Sequence, residues 1–193
     1  MKTQLLISLK IFALFTVLCG IVYPLLITGI AQIAFQKKAN GSLIVQGNKV
    51  IGSELIGQKF DSIIYFSSRP SATDYNPLPS GGSNLGPTSS KLKQLVTDRK
   101  AKLIKFNELS GSEMIPSEML YASASGLDPH ISPQAALLQV DRIVKVRQLD
   151  TNQKQQLMKS ITELSEGPQF LFLGENRINV LALNIGLDKL NNK

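Results

Sequence analysis

Cysteine and histidine are almost missing from this chain, which has one of each, Cys19 and His130, in 193 residues. One cysteine excludes an intrachain disulfide framework and a thiolate metal site, and one histidine excludes a multi-histidine metal centre. Also missing are the Walker A pattern that cradles nucleotide phosphates and the Asp-Lys-Thr-Gly-Thr phosphorylation motif of P-type pumps. ATP hydrolysed near this chain therefore belongs to another polypeptide.

Charge is missing from the whole of Ile11 to Phe35, 25 positions that follow a short head containing Lys2 and Lys10. As an α-helix the run reaches about 37 Å, more than the roughly 30 Å of a bilayer's hydrocarbon. A cleaved signal peptide carries a shorter apolar region, roughly 7 to 15 residues, although Gly29 and Ala31 form a weak small-x-small pattern. Leu18 before Cys19 disfavours a lipoprotein signal. The reading is a basic head at 1–10, a retained transmembrane signal-anchor at 11–35, and one domain at 36–193, large enough for a real core. A basic head before a long apolar run favours the N-terminus inside and the domain outside, and long domains translocate whatever their charge.

An anchor needs nothing but apolar residues, yet this one contains Thr16, Gly20, Tyr23, Pro24 and Gln32. Thr16 and Gly20 have the small-xxx-small spacing that admits a second helix, Gln32 offers an interhelical hydrogen bond, and Pro24 bends the helix by removing one bond. Partner packing is the expectation; the alternative is that membrane helices tolerate Gly and Pro anyway.

The net charge of +7 falls to +5 outside the head, and Lys91 to Lys105 supplies all of it through Lys91, Lys93, Arg99, Lys100, Lys102 and Lys105 against Asp98. With no interleaved aromatics and no nucleic-acid motif, this is a solvated or partner-facing helix and gives no ground for nucleic acid binding.

Short apolar runs at Leu43–Val45, Val50–Ile51, Ile63–Phe66 and Phe170–Leu173 read as strands. Leu92, Leu95, Val96, Leu103 and Phe106 share one helical face, with Arg99 near its middle, where it must snorkel, pair with an acid or meet a partner. Ser132-Pro133 starts a second helix, with Ala136, Leu137, Val140 and Val144 as its stripe. Asp150 and Gln153 form a capping-box-like start to a third, which buries Leu157, Met158, Ile161 and Leu164 and stops at Gly167-Pro168. Val180 to Leu190 suits a last helix. The fold class is a single N-terminal transmembrane helix followed by one mixed α/β (α+β) soluble domain.

Two loops are candidates for chemistry. Tyr65 to Pro87 carries Tyr65-Phe66, Arg69-Pro70-Ser71-Ala72, Tyr75-Asn76 and Ser80-Gly81-Gly82-Ser83-Asn84. Its glycines either present N–H groups to an anion or serve the turns of a packed Ω-type loop. Ser123 to Ser132 gathers Ser123, Ser125, Asp128 and His130. That invites a membrane-anchored serine hydrolase, but there is no Gly-x-Ser-x-Gly elbow, and a turn leading into the Ser132 helix is the competing reading.

Together these blocks resemble the C subunit of the Kdp-type potassium-transporting ATPase over nearly the whole chain. The resemblance runs through Gly20-Ile21-Val22-Tyr23-Pro24-Leu25 and Gln32, Ala39 to Ile44, Gly52-Ser53, Leu55 to Gln58, Tyr65-Phe66, Arg69 to Ala72 and Ser80 to Leu85. It continues through Ala122 to Asp128, Ser132 to Ala136 and Asn179 to Leu181, and closes with Leu183-Asn184 and Leu187-Asp188. It implies a non-catalytic accessory subunit in the bacterial inner membrane, partnered by a channel-like potassium-translocating subunit and a P-type ATP-hydrolysing subunit. It also implies a catalytic-chaperone role that raises the ATP affinity of the P-type subunit. Ser80, Gly81, Gly82, Ser83 and Asn84 resemble the signature loop of ABC ATPases, with Ser83 where that signature has Gln, and are the candidate nucleotide contact. No cofactor is expected to bind tightly, ATP being reached through the complex. The expected partner interface comprises Thr16, Gly20, Tyr23, Pro24, Gln32, Tyr65, Phe66, Arg69, Tyr75 and Arg99. The other readings are the hydrolase and a stand-alone binding module.

Overall fold

A computed structural model describes Lys2 to Asn191. The chain divides into two compact units, Met1–Ser53 and Glu54–Lys193. The first is built on a continuous helical run, Lys2–Ala34, long and apolar enough to cross a membrane and with none of its apolar window buried. Helix α1 (Lys2–Val17) passes into a π-helical turn, Leu18–Val22, and then into α2 (Tyr23–Ala34). The disturbance expected of Pro24 takes this form. Proline has no N–H for the Gly20 carbonyl and its ring crowds that turn, so the bond before it widens and the Tyr23 N–H reaches back to Leu18.

Phe35 breaks the helix with φ −139°, and a short turn, α3 (Gln36–Ala39), follows. Strands β1 (Leu43–Gln46) and β2 (Lys49–Ser53) then form an antiparallel hairpin, as their apolar runs predict. Gly47 holds φ +60° at the first central position of the two-residue turn, which suits a type II′ geometry. Ile44 pairs with Gly52 and Val45 with Val50, so Ile51 is the extra residue of a bulge.

The second unit packs α5 (Pro133–Arg147), α6 (Thr151–Glu163) and α7 (Val180–Asn191) together, with α4 (Ser90–Asn107) beside α5. A two-residue ladder pairs β3 (His130–Ile131) antiparallel with β4 (Ile178–Asn179). The core is Phe66, Ile131, Ala135, Ala136, Val140, Ile143, Leu157, Ile161, Ile178, Leu183 and Leu187.

The helix starts follow their sequence signals. Ser132 Oγ accepts from the Ala135 N–H at 3.1 Å with Pro133 in the first turn, and Asp150 and Gln153 complete a reciprocal capping box at 2.7 and 3.0 Å. The expected stripes shift slightly. Leu137 and Met158 are exposed, and Gln139 and Arg142 take buried places instead.

Two expected strands are absent. Ile63–Phe66 joins no ladder among the described residues, because side chains of α5 and α7 satisfy its backbone. Phe170–Leu173 forms the apex of a turn, with Gln169 and Leu173 bridged at its neck. Helix α6 stops at Glu163, before Gly167-Pro168, because Glu166 is already paired with Arg177 across a second bridge.

Candidate functional site

The chain from Ile63 to Ser67 opens on a turn closed by the Tyr65 N–H on the Ser62 carbonyl and lies against α5 and α7, and its five carbonyls are all taken by side chains. Arg142 donates to the Ile63 and Tyr65 carbonyls, Arg147 to Ile64, Asn184 to Phe66 and Gln139 to Ser67. The two amides also accept, Asn184 Oδ1 from the Phe66 N–H at 2.8 Å and Gln139 Oε1 from the Ser67 N–H at 2.7 Å. Each amide thus pairs with both backbone groups of one residue, as a neighbouring strand would.

Arg142 is 3% exposed, and among the described residues it has no ion pair. Its Nε donates to Asn107 Oδ1 at 2.8 Å, its Nη2 also reaches Gln139 Oε1 at 3.0 Å, and the guanidinium lies 4.6 Å over the Phe106 ring. Burial lowers its pKa to about 10, which leaves it protonated at neutral pH. Arg147 lies 4.8 Å over the Tyr65 ring and meets Asp188 at 2.8 Å, and Asp188 also accepts from the Tyr65 hydroxyl at 3.0 Å.

This frame sets the start of the long loop against the Ser123–Asp128 run, so the two segments singled out in the sequence form one cluster. Ser71 Oγ donates to the Gly126 carbonyl at 2.7 Å and accepts from the Tyr75 N–H at 2.9 Å. The Gly81 N–H donates to the Ser125 carbonyl, the Ser123 N–H to Pro70 and the Gly57 N–H to Leu127. Glycine is required at Gly126, where φ is +72° and a Cβ would fall 2.6 Å from Thr73 Oγ1 and 2.9 Å from the Gly81 carbonyl.

Arg69 and Asp128 meet at 2.7 Å in the middle of the cluster. Asp128 Oδ1 accepts the His130 backbone N–H at 3.0 Å, and the His130 ring nitrogen stands 3.6 Å away. Burial alone would raise the Asp128 pKa. The His130 ring and N–H and the Arg69 guanidinium outweigh it, so the carboxyl lies below its ordinary range. Tyr75 donates its hydroxyl to the Arg69 carbonyl at 2.5 Å, and burial pushes its pKa up.

Arg69 borders three cavities. The first, about 410 Å³, is lined by Lys59, Arg69, Tyr75, Arg99, Lys102, Phe106 and others. The second, about 470 Å³, brings in Asp128, His130, Glu118 and Arg177, and the third, about 650 Å³, runs along Leu55, Ile56 and Ser123–Pro129. Arg99 reaches the Leu120 carbonyl at 2.9 Å, and burial lowers its pKa. The first cavity offers cations, because its acids Asp61 and Asp74 are engaged by Lys59. Among the described residues no three His, Cys, Asp or Glu side chains gather as a metal site.

The predicted residues separate accordingly. Tyr65, Arg69, Tyr75 and Arg99 belong to this region. Phe66 was expected at a partner interface, but it is fully buried in the core, where its ring reaches no surface. Ser80–Asn84 lines none of the three cavities: the Gly81 N–H is spent on Ser125, and a Cβ on Gly82 would lie 3.1 Å from the Ala124 carbonyl. Ser123 and Ser125 accept the N–H groups of Gly126 and Leu127, and no described hydrogen bond joins either serine to His130. These serines serve the turn.

In the membrane unit, Thr16 bonds back to the Phe12 carbonyl at 2.8 Å and Gly20 has open space around its Cβ position. Gln32 and Asn40 exchange amide hydrogen bonds at 3.2 and 3.3 Å, which ties α2 to the turn after it. The residues that sequence reasoning missed are Gln139, Arg142 and Asn184. Their signal was a polar side chain at a position the apolar stripe should have filled.

The family model for the c chain of K+-transporting ATPases, KdpC, matches residues 5–189. A potassium-transporting ATPase KdpC subunit from Geotalea uraniireducens is 46% identical over 187 residues, covering 95% of this chain and 96% of its own. The counterpart from Koribacter versatilis is 46% identical over 190 residues (97% and 95%), and that from Paraburkholderia phytofirmans is 45% identical over 183 (93% of each).

Proposed function

The chain belongs to the KdpC family, the c chains of K+-transporting ATPases, and from that membership we propose that it is a non-catalytic accessory subunit of an ATP-driven potassium import complex. The observation that carries this reading is the match over residues 5–189, which takes in the membrane helix and the domain together. In this reading the chain sits in a bacterial inner membrane with its N-terminus in the cytoplasm and its domain outside. Its partners are a channel-like potassium-translocating subunit and a P-type subunit that hydrolyses ATP. Gly20 and its neighbours pack against the channel-like subunit's helices, while the domain covers the outer mouth of that subunit.

The chain supports assembly and acts as a catalytic chaperone that raises the P-type subunit's affinity for ATP. The internal use of the Gly81 N–H and the packing of Gly82 favour an indirect effect over a tight nucleotide site on Ser80–Asn84. The serine turn gives the hydrolase alternative no bridging base.

Purification from the native membrane in mild detergent tests the reading. The chain is expected to copurify with two much larger membrane proteins and with potassium-stimulated ATPase activity; recovery of the chain alone would sink it. A reporter fused to the C-terminus and active in the cytoplasm would overturn the orientation.

A further inference from the structure

Among the described residues, Arg69 Nε is the one buried side-chain nitrogen or oxygen without a hydrogen-bond partner. Buried polar groups are nearly always paired, so an orphan donor raises the question of what completes it. Asp128 already holds Nη1 at 2.7 Å. The Nε edge, by which a guanidinium forks two oxygens at once, is the part left over.

An acceptor for it can come from any of the three cavities that Arg69 borders, and their charges choose between them. The second sets Glu118, Asp128 and Glu175 against Arg69 and Arg177, and the third adds no cation to the Arg69–Asp128 pair. The first brings Arg99 and Lys102, which lie one turn apart on α4 and so share a face. Arg99 is half-buried with Nη1 on the Leu120 carbonyl, and no ion pair among the described residues involves Arg99 or Lys102. The acids of this cavity, Asp61 and Asp74, are bound to Lys59 at 3.3 and 2.7 Å. Their side chains are 70% and 75% exposed, so water screens the charge that Lys59 leaves.

We propose that the first cavity is a site for a phosphate-class oxyanion, held by Arg99, Lys102 and the free edge of Arg69. A tetrahedral phosphate carries oxygens in several directions and meets donors from the loop and from α4 together, whereas a carboxylate has two oxygens in one plane. A volume of about 410 Å³ holds the group together with part of a molecule attached to it. A soluble phosphate and a phospholipid headgroup offer these donors the same chemistry. The site is independent of the assembly proposed above, because all its residues lie within the second unit, and Ser80–Asn84 has no part in it.

Calorimetric titration of the full-length chain with inorganic phosphate, in dodecyl maltoside and Tris chloride, tests this. Saturable binding of one ion per chain is expected, with acetate about tenfold weaker. Arg99→Gln and Lys102→Gln should each weaken phosphate about tenfold, the effect of losing one charge-assisted hydrogen bond. Lys159→Gln, which removes a charge from α6 outside the cavity, should bind as wild type does. Unfolding temperatures without phosphate show which variants are folded, and K102Q, altering an exposed side chain, tests the site if R99Q is not. No saturable binding, acetate binding as tightly as phosphate, or R99Q and K102Q both matching wild type would each overturn the proposal. Phosphatidylglycerol in mixed micelles displaces the ion if the natural source is a lipid and leaves it bound if the source is soluble; both results uphold the site.

Discussion

Asp128 takes two kinds of partner at once, the Arg69 guanidinium on one oxygen and the His130 backbone and ring on the other. Its pKa lies below the ordinary value, so the native state prefers the ionised form more than the unfolded state does. The stability it contributes is therefore full above the unfolded pKa, near 4, and is lost as pH falls through the lower native pKa. Asp128→Asn should lower stability by about 1 kcal/mol at pH 7, a modest value because both side chains keep some exposure. The gap from wild type should close as the pH falls below about 4. Thermal unfolding of the full chain in detergent, followed by circular dichroism at pH 7 and pH 3, measures both; a gap that does not narrow between pH 7 and pH 3 would mean the carboxylate's charge is not the cause. At this scale the site was only partly legible. Arg69, Asp128 and His130 stood out by residue type, but their meeting depends on residues 59 positions apart in sequence for the Arg69–Asp128 pair. Arg142 and Asn184 gave the opposite difficulty: a polar residue in a helix ordinarily faces water, and the backbone they satisfy is remote in sequence.

Helices were the most legible elements, because their signals are local. A Ser-Pro or Asp-x-x-Gln start states where unpaired N–H groups find a partner, and the structure uses both. Asp150→Ala removes the acceptor for the Gln153 N–H in the capping box of α6 and should cost about 1 kcal/mol. Hydrogen exchange should localise the loss to the first turn of α6, with the caps of α4 and α5 unaffected. Loss spread evenly over the unit would show that Asp150 acts through packing instead. Strands were legible only where a hairpin closes locally, as β1 and β2 do across Gly47. Ile63–Phe66 has strand composition, but it turns at Ile63-Ile64 and its backbone is satisfied by helix side chains, which no alternation pattern encodes. Phe170–Leu173 has apolar composition and no neighbour to pair with, so it turns outward.

At the scale of the whole molecule, the uneven charge remains unaccounted for by internal contacts. Lys91, Lys93, Lys100, Lys102 and Lys105 are all exposed on α4, and no ion pair among the described residues involves them. A helix that held these cations for internal stability would show acids opposite them. Unpaired charge along both flanks of the apolar stripe instead suits an acidic partner surface, where complementarity sets encounter rate and register more than final affinity. Exposed charges interact over about 8 Å at physiological salt, so such docking is sensitive to ionic strength. Replacing the five lysines by glutamine should leave helicity and unfolding temperature near wild type, since the apolar face of α4 through Leu103 and Phe106 is untouched. Recovery of the variant with its larger partners should fall several-fold at about 0.15 M salt, and wild-type recovery should fall toward the variant's level as salt rises to about 1 M. Equal recovery of both chains at every salt concentration would assign the lysines to solvation alone. The docking face would then be sought around the first cavity, where Arg99 presents a cation with no acid paired to it among the described residues.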